Sequence, residues 1–239
     1  MMSFTSTIAD SVNRYPELKI IDARQIHKEK FSEIPEQAFY QVVSRMAKAG
    51  EIERLTKGIY CRPKSGRFGK ILSSEKDILE HYLGKNEKNG IVIGYRMYTM
   101  YGLTTQLSKD IQMYSNIPLE EKRQIRNVSV KKADLRFDAS TKKLIELLEV
   151  LQHHKEIEDL NYKNLWKFLS AASEHYNENK LGNILGEIKY KKSTLASLKN
   201  VLDHFGVSNT VGKYLKGTSK YDALDVEKIY EATPESTGF

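Results

Sequence analysis

The sequence predicts an α+β fold, and three observations carry the prediction. Up to Gly50 the apolar residues recur at a spacing near four, over the next ten residues they alternate at period two, and beyond Ala139 the helical period returns and holds. A mixed α/β stretch lies between. The expected organisation is an N-terminal domain over residues 1–72 and a second domain over 73–239, the latter made of an α/β part (73–138) and a mainly helical part (139–239). With 239 residues, 40% of them hydrophobic, the chain has material for one large core or two ordinary ones.

Phe4, Ile8 and Val12 form one apolar stripe, which predicts a short helix from Ser3 to Arg14 that ends before Pro16, because the residue preceding a proline is pushed out of the helical region. Leu18, Ile20 and Ile21 read as a brief apolar link. Asp22 is a good N-cap for a second helix through Ile26 to about Lys28, its carboxylate accepting from first-turn amides. Pro35 suits the first turn of a third helix, in which Ala38, Phe39, Val42, Val43 and Met46 repeat at helical spacing until Ala49, and Gly50 ends it. Ile52, Arg54 and Thr56, then Lys57-Gly58, then Ile59 and Tyr60 read as two strands joined by a tight turn.

Three helices followed directly by a hairpin is the winged helix-turn-helix order, in which the last helix before the wing enters the major groove. The apolar residues of that helix take one side and leave Gln37, Tyr40, Gln41, Ser44, Arg45 and Lys48 on or near the other. Gln pairs with the N6 and N7 edge of adenine, so Gln37, Tyr40, Gln41 and Ser44 are the candidate base-facing residues. Any surface helix turns polar residues outward; the wing shifts the balance. Between Arg54 and Lys70 lie Arg54, Lys57, Arg62, Lys64, Arg67 and Lys70 and no acidic residue. With Arg45 and Lys48 they form the candidate phosphate-holding set, on the hairpin and on a flexible Gly-containing arm, residues 62–70, suited to the backbone or minor groove.

Further on, Ser74 is a candidate cap for a helix over Ile78–Leu83, Gly90–Gly94 a short buried strand, Tyr95–Leu103 a helix, and Ile111–Ser115 and Val128–Val130 strands. The Gly90–Gly94 run lacks the GxGxxG and GKS/T patterns of nucleotide loops. Leu144, Ile145, Leu147, Leu148 and Leu151 predict one amphipathic helix. Leu165, Trp166, Phe168, Leu169 and Ala172 predict another, capped near Asn161, and Ser193–Phe205 a third closed by Gly206.

Lys and Arg number 38 against 31 Asp and Glu, a net charge of +7, and the excess is concentrated in residues 1–72, with 13 basic and 8 acidic residues. Such a field favours polyanions. Residues 189–220 hold seven lysines and one acidic residue, a face for solvent, DNA or an acidic protein. No run approaches the roughly 20 apolar residues of a bilayer span, and the N-terminus lacks the pattern of a secretory signal, so a soluble cytoplasmic protein without a membrane partner is expected. The single cysteine, Cys61, placed in the basic wing, closes no disulfide within the chain. No HExxH or CxxC occurs, and the adjacent His153 and His154 at a helix end do not share a face. No catalytic residue, metal site or cofactor is expected.

The stretch from Val43 through Arg45, Met46, Gly50, Ile52 and Arg54 to Gly58 and Tyr60 resembles the helix-then-wing motif of AbiEi-type antitoxins, R-L-x-x-x-G-x-L, a basic stretch, then G-x-Y, with Met46 in the usual leucine place. Tyr98–Gln106 is similar to the family's central helix ending in G-L-T-x-Q, Leu198–Gly206 to its C-terminal helix, and Tyr221–Asp225 to its closing Y-x-x-L-D. The resemblance implies a bacterial antitoxin of type IV toxin-antitoxin (abortive infection) systems. Its winged helix would repress its own operon, and its C-terminal domain would counter a cognate nucleotidyltransferase-like toxin. A transcriptional regulator without antitoxin activity, or a basic protein-interaction module that does not bind DNA specifically, are the alternatives. A monomer that pairs on an inverted repeat of double-stranded DNA in its own promoter is expected.

Overall fold

The structure, a computed structural model, describes residues 4–217 and 220–232. Ser3, where the first helix is expected to begin, residues 218–219 of the lysine-rich segment and residues 233–239 lie outside the described residues.

Helix α1 (Phe4–Asn13) buries Ile8 and Val12 as the stripe predicts. Phe4 does not follow: it is 75% exposed, at the N-terminal end of the helix, beyond the cover that the described residues give Ile8 and Val12. The apolar link is in fact a strand, β1 (Ile20–Asp22), too short for a period to show in sequence. Asp22 caps helix α2 (Ala23–Lys30), accepting from the Arg24 and Gln25 amides at 3.0 and 3.2 Å. Helix α3 (Glu36–Ala49) follows and ends where Gly50 takes the left-handed conformation at φ 76°. Its buried residues are Phe39, Val42, Val43 and Met46; Ala38 is exposed, because it lies off that face.

Strands β2 (Glu53–Thr56) and β3 (Ile59–Cys61) form the expected hairpin, and β1 pairs antiparallel with β3, Ile21 opposite Tyr60. The resulting sheet, in the order β1-β3-β2, closes the winged helix-turn-helix arrangement over a core that includes Ile8, Val12, Ile26, Phe39, Val43 and Ile52. Cys61 lies in β3 of the wing hairpin, as expected, and is fully buried there. The expected flexible arm is ordered as a second hairpin, β4 (Lys64–Gly66) and β5 (Gly69–Ile71), with Lys64 opposite Ile71.

Helix α4 (Glu75–Leu83) opens with a reciprocal capping box between Ser74 and Asp77. A mixed sheet follows, built from β6 (Gly90–Ile93), β7 (Ile111–Ser115), β8 (Lys122–Ile125) and β9 (Val128–Lys132) in the order β6-β7-β9-β8, with β7 and β9 parallel. Strand β8 escapes a sequence reading because one of its two inward positions is Arg123, a charged residue that hides the alternation. Helix α5 (Tyr95–Met100) stops short of the expected Leu103, since Gly102 turns the chain at φ 63°.

The remainder is helical: α6 (Ala139–His153), α7 (Tyr162–Ser173), α8 (Glu178–Glu187), α9 (Lys192–His204) and α10 (Val226–Glu231). Helix α8 is not foreseen, because it contains two glycines and buries only Leu181 and Ile184. Helix α6 is the hub, packed by α7, α8 and α9 and by β6, which explains its long buried run from Leu144 to Leu151. The motif residues of this region stitch elements together. Leu103 O accepts from the Asn161 amide at 2.8 Å, Thr104 Oγ1 donates to Glu158 O at 2.6 Å, and the Leu224 amide donates to Ser197 Oγ at 2.8 Å.

The winged helix and the mixed sheet share a core. Ile20 of β1 and Ile59 of β3 pack in one cluster with Ile78 and Tyr82 of α4 and with Met113, Ile125 and Val130 of the mixed sheet. Beside it Arg123 reaches from β8 to the carboxylate of Asp22, both side chains almost fully buried, and to Glu120 at 2.5 Å. The residue that caps α2 is thus held by the second unit.

Candidate nucleic-acid interface

Helix α3 turns its apolar stripe into the winged-helix core, and this fixes the direction of everything else on it. Gln37, Gln41, Ser44, Arg45 and Lys48 are exposed, whereas Tyr40 is half-buried with its ring edge-on to Phe39 at 5.5 Å. Burial, with the nearby Glu36 carboxylate second, pushes the Tyr40 hydroxyl above its ordinary range, so it is a neutral donor at pH 7. The four base-facing candidates therefore lie along one helix, three of them open to solvent. Arg45 bends back toward its own helix, Nε donating to Gln41 O at 3.4 Å, and keeps its remaining N–H groups outward.

The basic candidates separate by what they touch. Lys48, Lys57 and Lys64 are exposed and make no ion pair or hydrogen bond among the described residues. Arg54 is exposed and donates from Nε to Thr56 O at 3.3 Å, and Arg67 lies over the Phe68 ring at 5.6 Å. Two others serve the fold. Arg62 is half-buried, and its Nη1 donates to Tyr15 O at 2.7 Å, tying β3 to the end of α1. Lys70 pairs with Glu53 at 2.6 Å and reaches Gly50 O at 3.3 Å, which fastens the β4–β5 hairpin to the C-terminal end of α3. Phe68, 96% exposed at the tip of that hairpin, is an apolar residue the sequence reading passes over.

At the other end of α3 a groove of about 690 Å³ opens between the wing and the edge strand β8. Its walls include Arg24, Glu36, Tyr40, Arg54, Lys57 and Lys122. Of these Arg24 and Lys122 are absent from any reading by spacing, since neither lies on the helix or in the basic run.

Helix order, sheet order and the outward polar face of α3 together make a winged helix-turn-helix with an open recognition face. Residues 18–63 match the family model described as "Transcriptional regulator, AbiEi antitoxin". The AbiEi match takes in β1, α2, α3 and the β2–β3 hairpin, the segment that holds the helix-then-wing motif. That description is of a regulator and not of an enzyme class. No curated protein matches the chain. Among solved structures, the crystal structure of the RV2827C protein from Mycobacterium tuberculosis is similar at a TM-score of 0.36 and 10% identity, over 87% of this chain and 79% of that one.

The adjacent histidines near the end of α6 do not act as a pair. His153 Nδ1 lies 2.7 Å from Glu156 Oε2, and His154 Nδ1 bonds Leu151 O at 2.8 Å, with burial pushing the His154 pKa down. The two rings have separate partners. Among the described residues no group of three or more His, Cys, Asp and Glu side chains is placed to hold a metal, and no helix is long and apolar enough to cross a membrane. The lysine-rich segment is partly neutralised: Lys213 pairs with Glu178 at 2.5 Å, Lys199 with Asp203, and Lys192 donates to Tyr214 O at 2.7 Å.

Proposed function

We propose that this chain is a DNA-binding antitoxin that represses its own toxin-antitoxin operon through residues 1–72 and counteracts a nucleotidyltransferase-like toxin through residues 73–239. The observation that carries the reading is the winged-helix order with an unobstructed polar face on α3, in the segment that matches the AbiEi regulators. In this reading Gln37, Tyr40, Gln41 and Ser44 meet base edges. Arg45, Lys48, Arg54, Lys57, Lys64 and Arg67 hold phosphates, while Arg62 and Lys70 keep their supports in place. One such helix reads a short site, so two copies on an inverted repeat in the promoter supply the length an operator needs.

The antitoxic half of the proposal is supported by the similarity of Tyr98–Gln106, Leu198–Gly206 and Tyr221–Asp225 to family stretches. The test has two arms in one host. A promoter reporter should be repressed by the chain, and growth arrested by expression of a nucleotidyltransferase-like toxin encoded in the same operon should be restored by co-expression. Repression without rescue would leave a plain transcriptional regulator, and neither effect would leave a protein-interaction module.

A further inference from the structure

We infer that the DNA-contacting surface does not end with the winged helix but continues across the groove onto β8, where Lys122 of the mixed sheet holds a phosphate of the strand flanking the site read by α3. The inference rests on the DNA-binding reading above and adds a contact from outside the segment that carries it.

The first observation is that the wing is cut short. The β2–β3 turn is only Lys57-Gly58, and its tip is bonded back onto the domain, Gly58 O accepting from the Ala23 amide at 3.0 Å. A wing of this length does not project along a duplex. The second is that an edge strand of the mixed sheet stands beside it: among the described residues β8 pairs with β9 alone, and it approaches β2 across the groove. The third is the facing of β8. Arg123 and Ile125 point inward, so Lys122 and Gln124 point out.

Charge selects the occupant. Glu120 is matched by Arg123 at 2.5 Å and approached by Arg24 at 3.6 Å, and Asp22 by Arg123, so these carboxylates do not repel an anion in the groove. Glu36 is the remaining acid on its walls, set against Arg54, Lys57 and Lys122. Lys57 and Lys122 make no ion pair or hydrogen bond among the described residues. Gln124 directs one N–H of its amide to Arg126 O at 2.7 Å, and Lys122 is the unpaired cation that β8 brings to the groove. Two lysines with unpaired side chains, Lys57 and Lys122, lining one open, polar groove at the N-terminal end of α3 fit a sugar-phosphate strand. The β8 side is preset for that task, because Arg123 fastens it to the cap of α2 and Arg126 Nη1 fastens the β8–β9 turn to Ser73 O at 2.6 Å.

The test titrates the full chain on its upstream DNA over a range of salt, comparing the parent with Lys122→Ala, Lys57→Ala and, as a control for the loss of one positive charge, Lys228→Ala on α10, with circular dichroism confirming each fold. Lys122→Ala should weaken binding roughly tenfold near 0.1 M salt and flatten the salt slope by about 0.9, the release of one phosphate's counterions, while Lys228→Ala matches the parent. Parent-like binding by Lys122→Ala beside weakened binding by Lys57→Ala would overturn the β8 contact and leave the winged helix as the reader. Equal losses in Lys122→Ala and Lys228→Ala would overturn it too, by showing a diffuse field. If the parent itself binds upstream and scrambled DNA alike, the DNA reading falls and the β8 contact with it.

Discussion

Arg62 and Lys57 are both cations of the same basic run, yet the fold gives them different work. Lys57 is free at the wing tip, so Lys57→Ala should weaken binding to every DNA sequence and flatten the salt slope by about one, leaving thermal stability unchanged. Arg62 is a strut to Tyr15 O, so Arg62→Ala should cost about 1.5–3 kcal/mol of folding stability, read by denaturant unfolding. The reverse pattern would exchange their roles. Gln41, exposed on α3, carries the sequence preference in this account. A randomised-site selection with Gln41→Ala should shift the preferred bases, with a loss of about 1–3 kcal/mol of discrimination if the contact is bidentate, and an unchanged preference would remove Gln41 from the reading set. His81 supplies a pH dependence. It is half-buried on α4 with Nε2 enclosed and unpartnered, and desolvation pushes its pKa down to about 4 from an ordinary 6.5, with a smaller upward pull from Asp22 and smaller downward ones from Arg123 and Lys19. Between those values the unfolded chain takes a proton that the folded chain refuses. Its share of stability is therefore intact above pH 6.5 and declines by about 3 kcal/mol on acidification to pH 4. Unfolding measured across that window should show the decline in the parent and a flatter profile in His81→Leu.

At the scale of elements, helices with an apolar stripe and a capping residue are legible, and those that lack one of the two are not. Asp22, Ser74 and Asn161 each cap a helix as the sequence suggests, and Gly50 and Gly206 each take the left-handed conformation that ends one. Strand β1 is hidden by its length, β8 by the inward Arg123, and α8 by its glycines and thin stripe. The 62–70 arm reads as flexible because glycine and basic residues dominate it, but the Lys64–Ile71 ladder and the Lys70 tether order it. The candidate site follows the same rule. Its α3 face comes straight from helical periodicity, whereas the distinction between free and committed cations depends on contacts such as Arg62 to Tyr15, 47 residues apart, which no local pattern encodes. Gly50 ties helix end and hairpin together: a Cβ there would lie 2.8 Å from Lys70 Nζ as well as strain a positive φ. Gly50→Ala should cost about 1 kcal/mol and loosen the β4–β5 hairpin, visible as faster amide exchange over residues 64–71 with the α3 core protected.

For the whole molecule the consequential feature is the shared core between the winged helix and the mixed sheet, with the buried Arg123–Asp22 pair at its edge. Arg123 keeps Glu120 when Asp22 is removed, so Asp22→Ala should cost about 1.5–3 kcal/mol for the lost charged hydrogen bond, in addition to the roughly 1 kcal/mol of a lost helix cap. Because the pair spans the two units, the winged helix and the mixed sheet should unfold together. Separate transitions in spectroscopic and calorimetric unfolding would contradict the coupling. The same joint sets β8 beside the wing and gives the proposed DNA-binding surface its third side. This surface is proposed to recognise a particular DNA sequence. The measurement that tests it most directly is a mobility-shift titration of the full chain on its own upstream DNA against a scrambled duplex at two salt concentrations. Tighter binding to the upstream DNA, weakening steeply at the higher salt, is the predicted result; equal, weak binding to both duplexes would contradict the account and reduce the winged helix to a scaffold.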